Sequence, residues 1–516
     1  MGRNILFITT DQMRYDCLGV NGGTVARVPV IDGLANSGIN YTRMHAQNVV
    51  CMPARSSMIT GQYPRTHGVY ANGVPLPSDA PSIAAHLNEN GYRTALLGKA
   101  HFEPAFDFEN KWDENKFAAQ GSTGPYRGFE YIEFAMHGPE LQWHYGKWLK
   151  EQDKNAWRGF YPLVRPDGKA LNDAGGGETN APQVQRNPIA RELYHTDWVA
   201  DRTIEWLKSV DANENFFCWM SFPDPHHPWD PPESELHRVN WRDIDLPAAH
   251  PGNDARAREI LNNKPAHWLG YYDGSFRNSE GGPRTFVPMN MTHDQVREIN
   301  ALNHIENELI DEATGRVLAV LAQRGMLDNT DIFLTTDHGE LQGDFGLMFK
   351  GPYHVDALMR LPMVWKPATT ANIAPAVVDE PVGQIDLAAT FCEVAGVAIP
   401  EWVQGKPLPT APGDASRERV LTEWDSQFPD KDMRLRTIWR DGYLCTVYEQ
   451  GGPKIDGVPM YDGTEGELYT LEDGPHQFIN RWDDPDFRTI RDDLVGDLYD
   501  HLPAHRDPRL AVEAPT

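Results

Sequence analysis

The residues best equipped for chemistry lie where short apolar runs stop. The densest group is Cys51-Met52-Pro53-Ala54-Arg55. Pro53 lacks an N–H and has its φ preset, which suits the first turn of a helix. Arg55 lies one turn on and can point back toward Cys51. The cysteine would then sit among free backbone N–H groups at the positive end of a helix dipole, a seat for an anion such as sulfate or phosphate. A buried structural cysteine beside a helix cap fits these five residues as well. Asp11-Gln12, Lys99-x-His101, His226-His227, Asp337-His338 and Lys350 add carboxylates, imidazoles and ammonium groups. Two pairs such as Asp11-Gln12 and Asp337-His338, carried on two strand ends, can converge on one cation. Each also has a plain reading: a polar loop for Asp11-Gln12, and an exposed lysine with a capping histidine for Lys99 and His101.

The elements that must hold these groups can be read from periodicity. Residues 4–9 form a continuous apolar, β-rich run, the pattern of a strand buried on both faces of a parallel sheet. The runs at 91–97, 215–221 and 332–335 repeat it, and 361–366 adds a further strand. The first four stop at Asp11, at Lys99, at the proline-rich turn 223–228 that carries His226 and His227, and at Asp337. Ligands in open α/β sheets sit just past the carboxyl ends of strands. Helical patterns cover 30–38, 53–61, 82–90, 195–210, 292–324 and 384–395. Residues 102–190 and 230–290 have weak periodicity and read as irregular insertions over the active-site face, with 175–177 as a flexible loop. Residues 398–418, rich in Pro, Gly and Ala, read as a linker. Short β-like runs at 420–423, 435–440, 443–448 and 467–471 and a helix at 491–501 follow it.

At 516 residues the chain can bury a large core. Its formal charge of −27 argues against nucleic acid and against an anionic membrane surface. It does not forbid an anionic substrate, since a few local cations and a metal can reverse the sign inside one pocket. The five cysteines are scattered, so a reducing compartment is expected rather than a disulfide framework. No stretch approaches about 20 apolar residues, the length of a membrane span, and the N-terminus lacks the pattern of a signal peptide. The expected location is cytoplasmic.

The run Cys51-x-Pro53-x-Arg55, continued by Thr60-Gly61, resembles the signature of the type I sulfatases, with Ile59 for the usual Leu and Ala54 for a frequent Ser. Asp11, Gly98-Lys99-x-His101, Pro225-His226, Asp337-His338-Gly339 and Lys350 follow in that family's order along nearly the whole chain, and residues 466–473 resemble its closing strand. The resemblance implies an alkaline-phosphatase-like α/β fold. This has a large mixed, mostly parallel sheet flanked by helices in a catalytic domain, 1–397, and a smaller antiparallel α+β subdomain, 398–516. It implies that a formylglycine-generating enzyme converts Cys51 to formylglycine, whose hydrate is the nucleophile. Asp11, Gln12, Cys51, Asp337 and His338 would hold one divalent metal. Arg55, Lys99 and Lys350 would neutralise the sulfuryl oxygens, His101 would assist the diol, and His226 would protonate or stabilise the leaving group. Asn72 and His227 are assigned to substrate contact. The partners implied are a small anionic ester and the maturation enzyme, and relatives in this branch often form homo-oligomers.

The chain departs from the commonest family pattern where Asp11-Gln12 and Asp337-His338 replace Asp-Asp and Asp-Asn. An imidazole among the donors loosens the case for Ca²⁺ and admits Mn²⁺. The same pairs resemble the branch of choline sulfatases and phosphonate monoester hydrolases. In that branch the phosphonate hydrolases carry Tyr and Thr in place of Lys-x-His, so Lys99 and His101 favour a sulfatase of arylsulfatase type. A phosphonate monoester hydrolase or phosphodiesterase, a choline-sulfatase-like enzyme, and a non-catalytic relative never converted at Cys51 are the competing readings. Sulfate and phosphate esters are alike in shape, so promiscuity between them is expected.

Overall fold

The computed structural model describes residues 2–105, 109, 111–161, 175–278, 280, 282, 285–428, 431–455 and 458–514. Eight strands form the central sheet: β1 (Asn4–Thr10), β2 (Ile39–Tyr41), β3 (Arg93–Gly98), β4 (Tyr131–Phe134), β5 (Phe216–Ser221), β6 (Thr330–Thr336), β7 (Met363–Lys366) and β8 (Ala376–Val378). Their spatial order is β8-β2-β7-β6-β1-β5-β3-β4, and every pairing is parallel except the two made by β7.

Helices cover both faces: α1 (Pro29–Ser37), α2 (Cys51–Thr60), α3 (Ile83–Glu89), α4 (His195–Ser209), α5 (His293–Gln323) and α6 (Asp386–Ala395). Strand alternation sorts the apolar residues between the two sides. Leu6, Ile8, Cys218, Met220 and Leu334 join Val199, Leu207, Ile305 and Leu309 of α4 and α5. Ile5, Phe7, Phe217, Trp219 and Phe333 join Met58, Leu87 and Phe391 of α2, α3 and α6. Each such buried side chain contributes about 1.5–3 kcal/mol, which explains why these strands read as continuous apolar runs. The long helix α5 starts from a capping box, in which Thr292 accepts from the Gln295 N–H and Gln295 accepts from the Thr292 N–H.

After residues 398–418 come β9 (Val420–Asp425), β10 (Arg434–Arg440), β11 (Tyr443–Tyr448) and β12 (Gly466–Thr470), an antiparallel sheet in that order. Helix α7 (Arg488–His501) covers one face through Leu494 and Leu498 against Leu421, Ile438, Cys445 and Leu468. Among the described residues no helix is long and apolar enough to cross a membrane.

Several stretches are more regular than their sequences suggest. Within 102–190 the structure has helices Asp113–Gln120 and His144–Gln152, and strand β4 extends the sheet beside β3. Residues 162–174 of that stretch lie outside the described residues. Within 230–290, helix Asp254–Leu261 begins at an Asn253 cap, and helix Ala266–Asp273 buries His267, Trp268, Tyr271 and Tyr272. That spacing is helical, but it is carried by aromatic rather than aliphatic residues. Gly175–Gly176 pairs with Ala181–Pro182, and the Glu298 carboxylate accepts from the Glu178 N–H at 2.6 Å and the Thr179 N–H at 2.8 Å, so this is a braced hairpin rather than a flexible loop. Pro362, which has no N–H to give a ladder, divides the expected strand at 361–366 into Arg360–Leu361 and β7.

Candidate active site

Sheet register brings the chemistry to one edge. Thr10 pairs with Thr336, so Asp11 and Asp337 leave β1 and β6 side by side. Ser221 pairs with both Thr9 and Gly98, which sets Lys99 and the 223–228 turn at the same level. Gly98 has φ +104°, and a Cβ there would meet the Ser221 carbonyl oxygen at 1.8 Å. Only glycine lets β3 close against β5 immediately before Lys99.

Every residue of α2 is buried, including Arg55. Cys51 opens the helix and Gly61, at φ +62°, ends it. Asn48 Oδ1 accepts from the Val50 N–H and Asn72 Oδ1 from the Met52 N–H, both at 3.0 Å. Asn72, expected at the substrate, thus holds an amide in the first turn of the Cys51 helix. Arg55 reaches across the site. Its Nε donates to Asp337 Oδ2 at 2.9 Å, and its Nη1 donates to the Lys99 carbonyl at 2.8 Å and to Ser221 Oγ at 2.9 Å. Its Nη2 lies 3.6 Å from Asp11 Oδ2 and makes no hydrogen bond among the described residues, leaving a donor for an incoming oxygen.

Asp11, Cys51, Asp337 and His338 present ligand atoms that all lie within 4.8 Å of one another, in a fully buried cluster. Cys51 Sγ is 3.2 Å from His338 Nε2 and 3.7 Å from Asp11 Oδ1. His338 Nδ1 lies 2.9 Å from the Gly339 carbonyl, which assigns the ring proton to Nδ1 and turns the Nε2 lone pair inward. Two carboxylates and an inward lone pair, closed off from water, form a donor set that fits a divalent cation. Gln12 follows Asp11 with φ at +67°. Its N–H donates to Asp337 Oδ1 at 3.0 Å, its Oε1 accepts from Lys350 Nζ at 2.6 Å, and its Nε2 faces His227 Nδ1 at 3.0 Å and donates to Glu340.

The other basic residues surround this cluster. Lys99 donates to Asp11 and lies 2.8 Å from His137 Nε2. Lys350 Nζ reaches His226 Nε2 at 2.6 Å, while His226 Nδ1 bonds the His227 carbonyl. His101, at φ +56°, is buried, and neither ring nitrogen is hydrogen-bonded among the described residues. Arg55, Lys99 and Lys350 thus face the Asp11, Asp337 and Glu340 carboxylates, three basic groups against three acidic ones.

Burial opposes ionisation of Asp11, but Lys99, then Arg55 and His338, outweigh it and hold its carboxyl down to about 2. Burial, followed by the charge of Asp11, pushes the Cys51 thiol up to about 12 despite Lys350 and Lys99. Burial thus disfavours the thiolate of an unmodified Cys51. Burial and then neighbouring cations or imidazoles hold His101, His226 and His227 well below the usual histidine range. Glu340 is pushed up to about 6, chiefly by burial.

Sequence reading missed His137 and gave no role to Glu340. His137 follows β4, whose alternating burial was the available signal, hidden in a stretch read as irregular. Glu340 accepts from the Gln12 amide and from the Gln342 and Phe349 N–H groups, tying the Lys350 loop to the end of β1.

Comparison with known proteins matches the sulfatase family model to residues 3–397. An arylsulfatase of Clostridium perfringens is 27% identical over 432 residues, covering 79% of this chain and 78% of that one. A choline-sulfatase of Rhizobium meliloti is 24% identical, covering 93% of this chain and 83% of its own. A phosphonate monoester hydrolase from Silicibacter pomeroyi superposes with a TM-score of 0.75 at 23% identity, over 98% of this chain and 96% of its own.

Proposed function

The chain belongs to the sulfatase family, and we propose that it hydrolyses small or aryl sulfate esters using a formylglycine made from Cys51. The observation that carries this is the placement of Cys51 Sγ at a helix start, 3.2 Å from His338 Nε2 and 3.7 Å from Asp11 Oδ1, among three buried cations. Sγ marks the site of the aldehyde carbon's substituents after conversion. That conversion calls for a formylglycine-generating enzyme, and five free buried cysteines suit a cytoplasmic setting.

Asp11, Asp337, His338 and residue 51 would hold one divalent metal, with Gln12 joining if Lys350 releases its Oε1. The bound ion would supply Lewis acidity, lowering the pKa of a coordinated hydroxyl. His338 makes Mn²⁺ as suitable as Ca²⁺. One hydroxyl of the hydrated aldehyde, its proton lost to solvent before the ester binds, attacks sulfur, and the bond from sulfur to the ester oxygen breaks. Arg55 Nη2, Lys99 and Lys350 meet the charge spreading over the sulfuryl oxygens. Lys350 Nζ and His226 Nε2 lie 2.6 Å apart, and this pair gives a proton to the departing alkoxide. His101, with both nitrogens free, takes the proton of the second hydroxyl. The carbonyl re-forms, the bond from carbon to the sulfate oxygen breaks, and sulfate leaves. All of these side chains lie in 1–397, which we take as the catalytic unit, with 398–516 supporting it.

The second reading, a phosphonate monoester hydrolase or phosphodiesterase, is favoured by the Asp11-Gln12 and Asp337-His338 pairs. The test is kcat/KM for an aryl sulfate and an aryl phosphonate monoester, each with Mn²⁺ and with Ca²⁺. Preference for sulfate is the expected result. Preference for the phosphonate would replace the first reading with the second.

A further inference from the structure

We propose that His137 is a third imidazole of the reaction centre, a positioning residue that sets Lys99 and His226 and keeps one donor for an oxygen of the bound anion; this rests on the sulfatase reading above. Its ring lies face to face with that of His226, with centroids 3.8 Å apart and planes 19° from parallel. Its Nε2 is 2.8 Å from Lys99 Nζ. An ammonium nitrogen only donates, so Nε2 accepts and the proton of the neutral ring lies on Nδ1. That Nδ1–H is buried and has no hydrogen-bond partner among the described residues.

Two lysine–imidazole pairs are therefore stacked on each other, Lys99 with His137 and Lys350 with His226. Lys99 has three donors. One goes to Asp11 and one to His137, so the direction of the third is set before substrate arrives. The stack also limits the tilt of His226 and hence the line along which its Nε2 meets Lys350. A buried donor left unpaired is unfavourable, and an arriving sulfuryl oxygen would relieve it.

The test compares His137→Phe, which keeps a flat ring over His226 but loses both nitrogens, with His137→Gln, which keeps an acceptor and a donor but loses the ring. Inorganic sulfate affinity is measured by calorimetry on the metal-loaded, converted protein, and kcat and KM on an aryl sulfate. The Phe variant is expected to bind sulfate about tenfold or more weakly, the scale of one hydrogen bond to a charged group, and to lose kcat. The Gln variant is expected to recover most of the sulfate affinity but not of kcat, because it gives up the ring that limits the tilt of His226. Phe equal to the unsubstituted protein, or Gln no better than Phe in sulfate affinity, overturns the proposal, as does failure of the unsubstituted protein to bind sulfate. If the Phe variant does not fold, His137→Ala carries the same comparison at a side chain already 11% exposed. Sulfate binding that falls and recovers in this order, in a protein that hydrolyses no sulfate ester, would refute the assigned reaction and leave the role of His137 standing.

Discussion

Arg55 Nε lies 2.9 Å from Asp337 Oδ2, tying the helix that carries Cys51 to the end of β6, with neither side chain exposed to solvent. Removing the guanidinium leaves Asp337 and Asp11 buried and short of one cation. Arg55→Ala should therefore destabilise the fold by about 3–5 kcal/mol and cut kcat/KM by about a hundred- to a thousandfold, the scale of a lost preorganised donor. Arg55→Lys keeps a charge but not the fork that spans Asp337, Lys99 and Ser221, so it should recover only part of the stability. Denaturant unfolding and kcat/KM of both variants check this.

Cys51→Ser should fold normally, since the side chain is small and sits at a helix start. A serine sulfate ester has no second hydroxyl to expel sulfate. The variant should release at most one equivalent of alcohol and gain the mass of one sulfuryl group. Steady turnover by this variant would contradict the two-hydroxyl scheme.

Stripping divalent metal should lower Tm as well as activity, because Asp11 and Asp337 lose a counter-charge. Returning Mn²⁺ or Ca²⁺ at a hundredfold excess over Kd should restore about 2.7 kcal/mol. Asp337→Asn should lose most of this metal-dependent shift. A melting temperature indifferent to chelator would argue against the donor cluster as a cation site.

His67 predicts a pH dependence behind α2. Its Nδ1 accepts from the Val69 N–H at 3.1 Å and its Nε2 lies 3.1 Å from Ser57 Oγ, so the neutral ring is the bonded form. Burial, with a smaller push from Arg506, takes its pKa down to about 3. Between the unfolded value near 6.5 and about 3, the unfolded chain binds a proton that the folded chain does not. Stability therefore falls as pH drops through that window, by at most about 1.4 kcal/mol per pH unit from this group. His67→Gln can keep both hydrogen bonds without titrating and should flatten the acid limb of a denaturant-unfolding series.

The sheet was legible because β1, β3, β5 and β6 are buried on both faces and must be apolar throughout, which leaves their polar ends conspicuous. Asp11, Lys99, His226 and Asp337 stand at those ends. The insertions were opaque for the opposite reason. Strand β4 is an edge strand of four residues with alternating burial, and helix Ala266–Asp273 buries aromatic and histidine side chains that carry little aliphatic signal. His137 was lost with β4. The bond of Asn72 to the Met52 N–H depends on a loop fold that spacing does not encode.

The central claim is that residue 51 acts as formylglycine, and the most direct measurement is the mass of the peptide containing it, in preparations made with and without a formylglycine-generating enzyme, set against kcat per mole of protein on an aryl sulfate. The expected result is that kcat rises in proportion to the converted fraction and extrapolates to zero at none. Full turnover by protein whose residue 51 is still a thiol would contradict it.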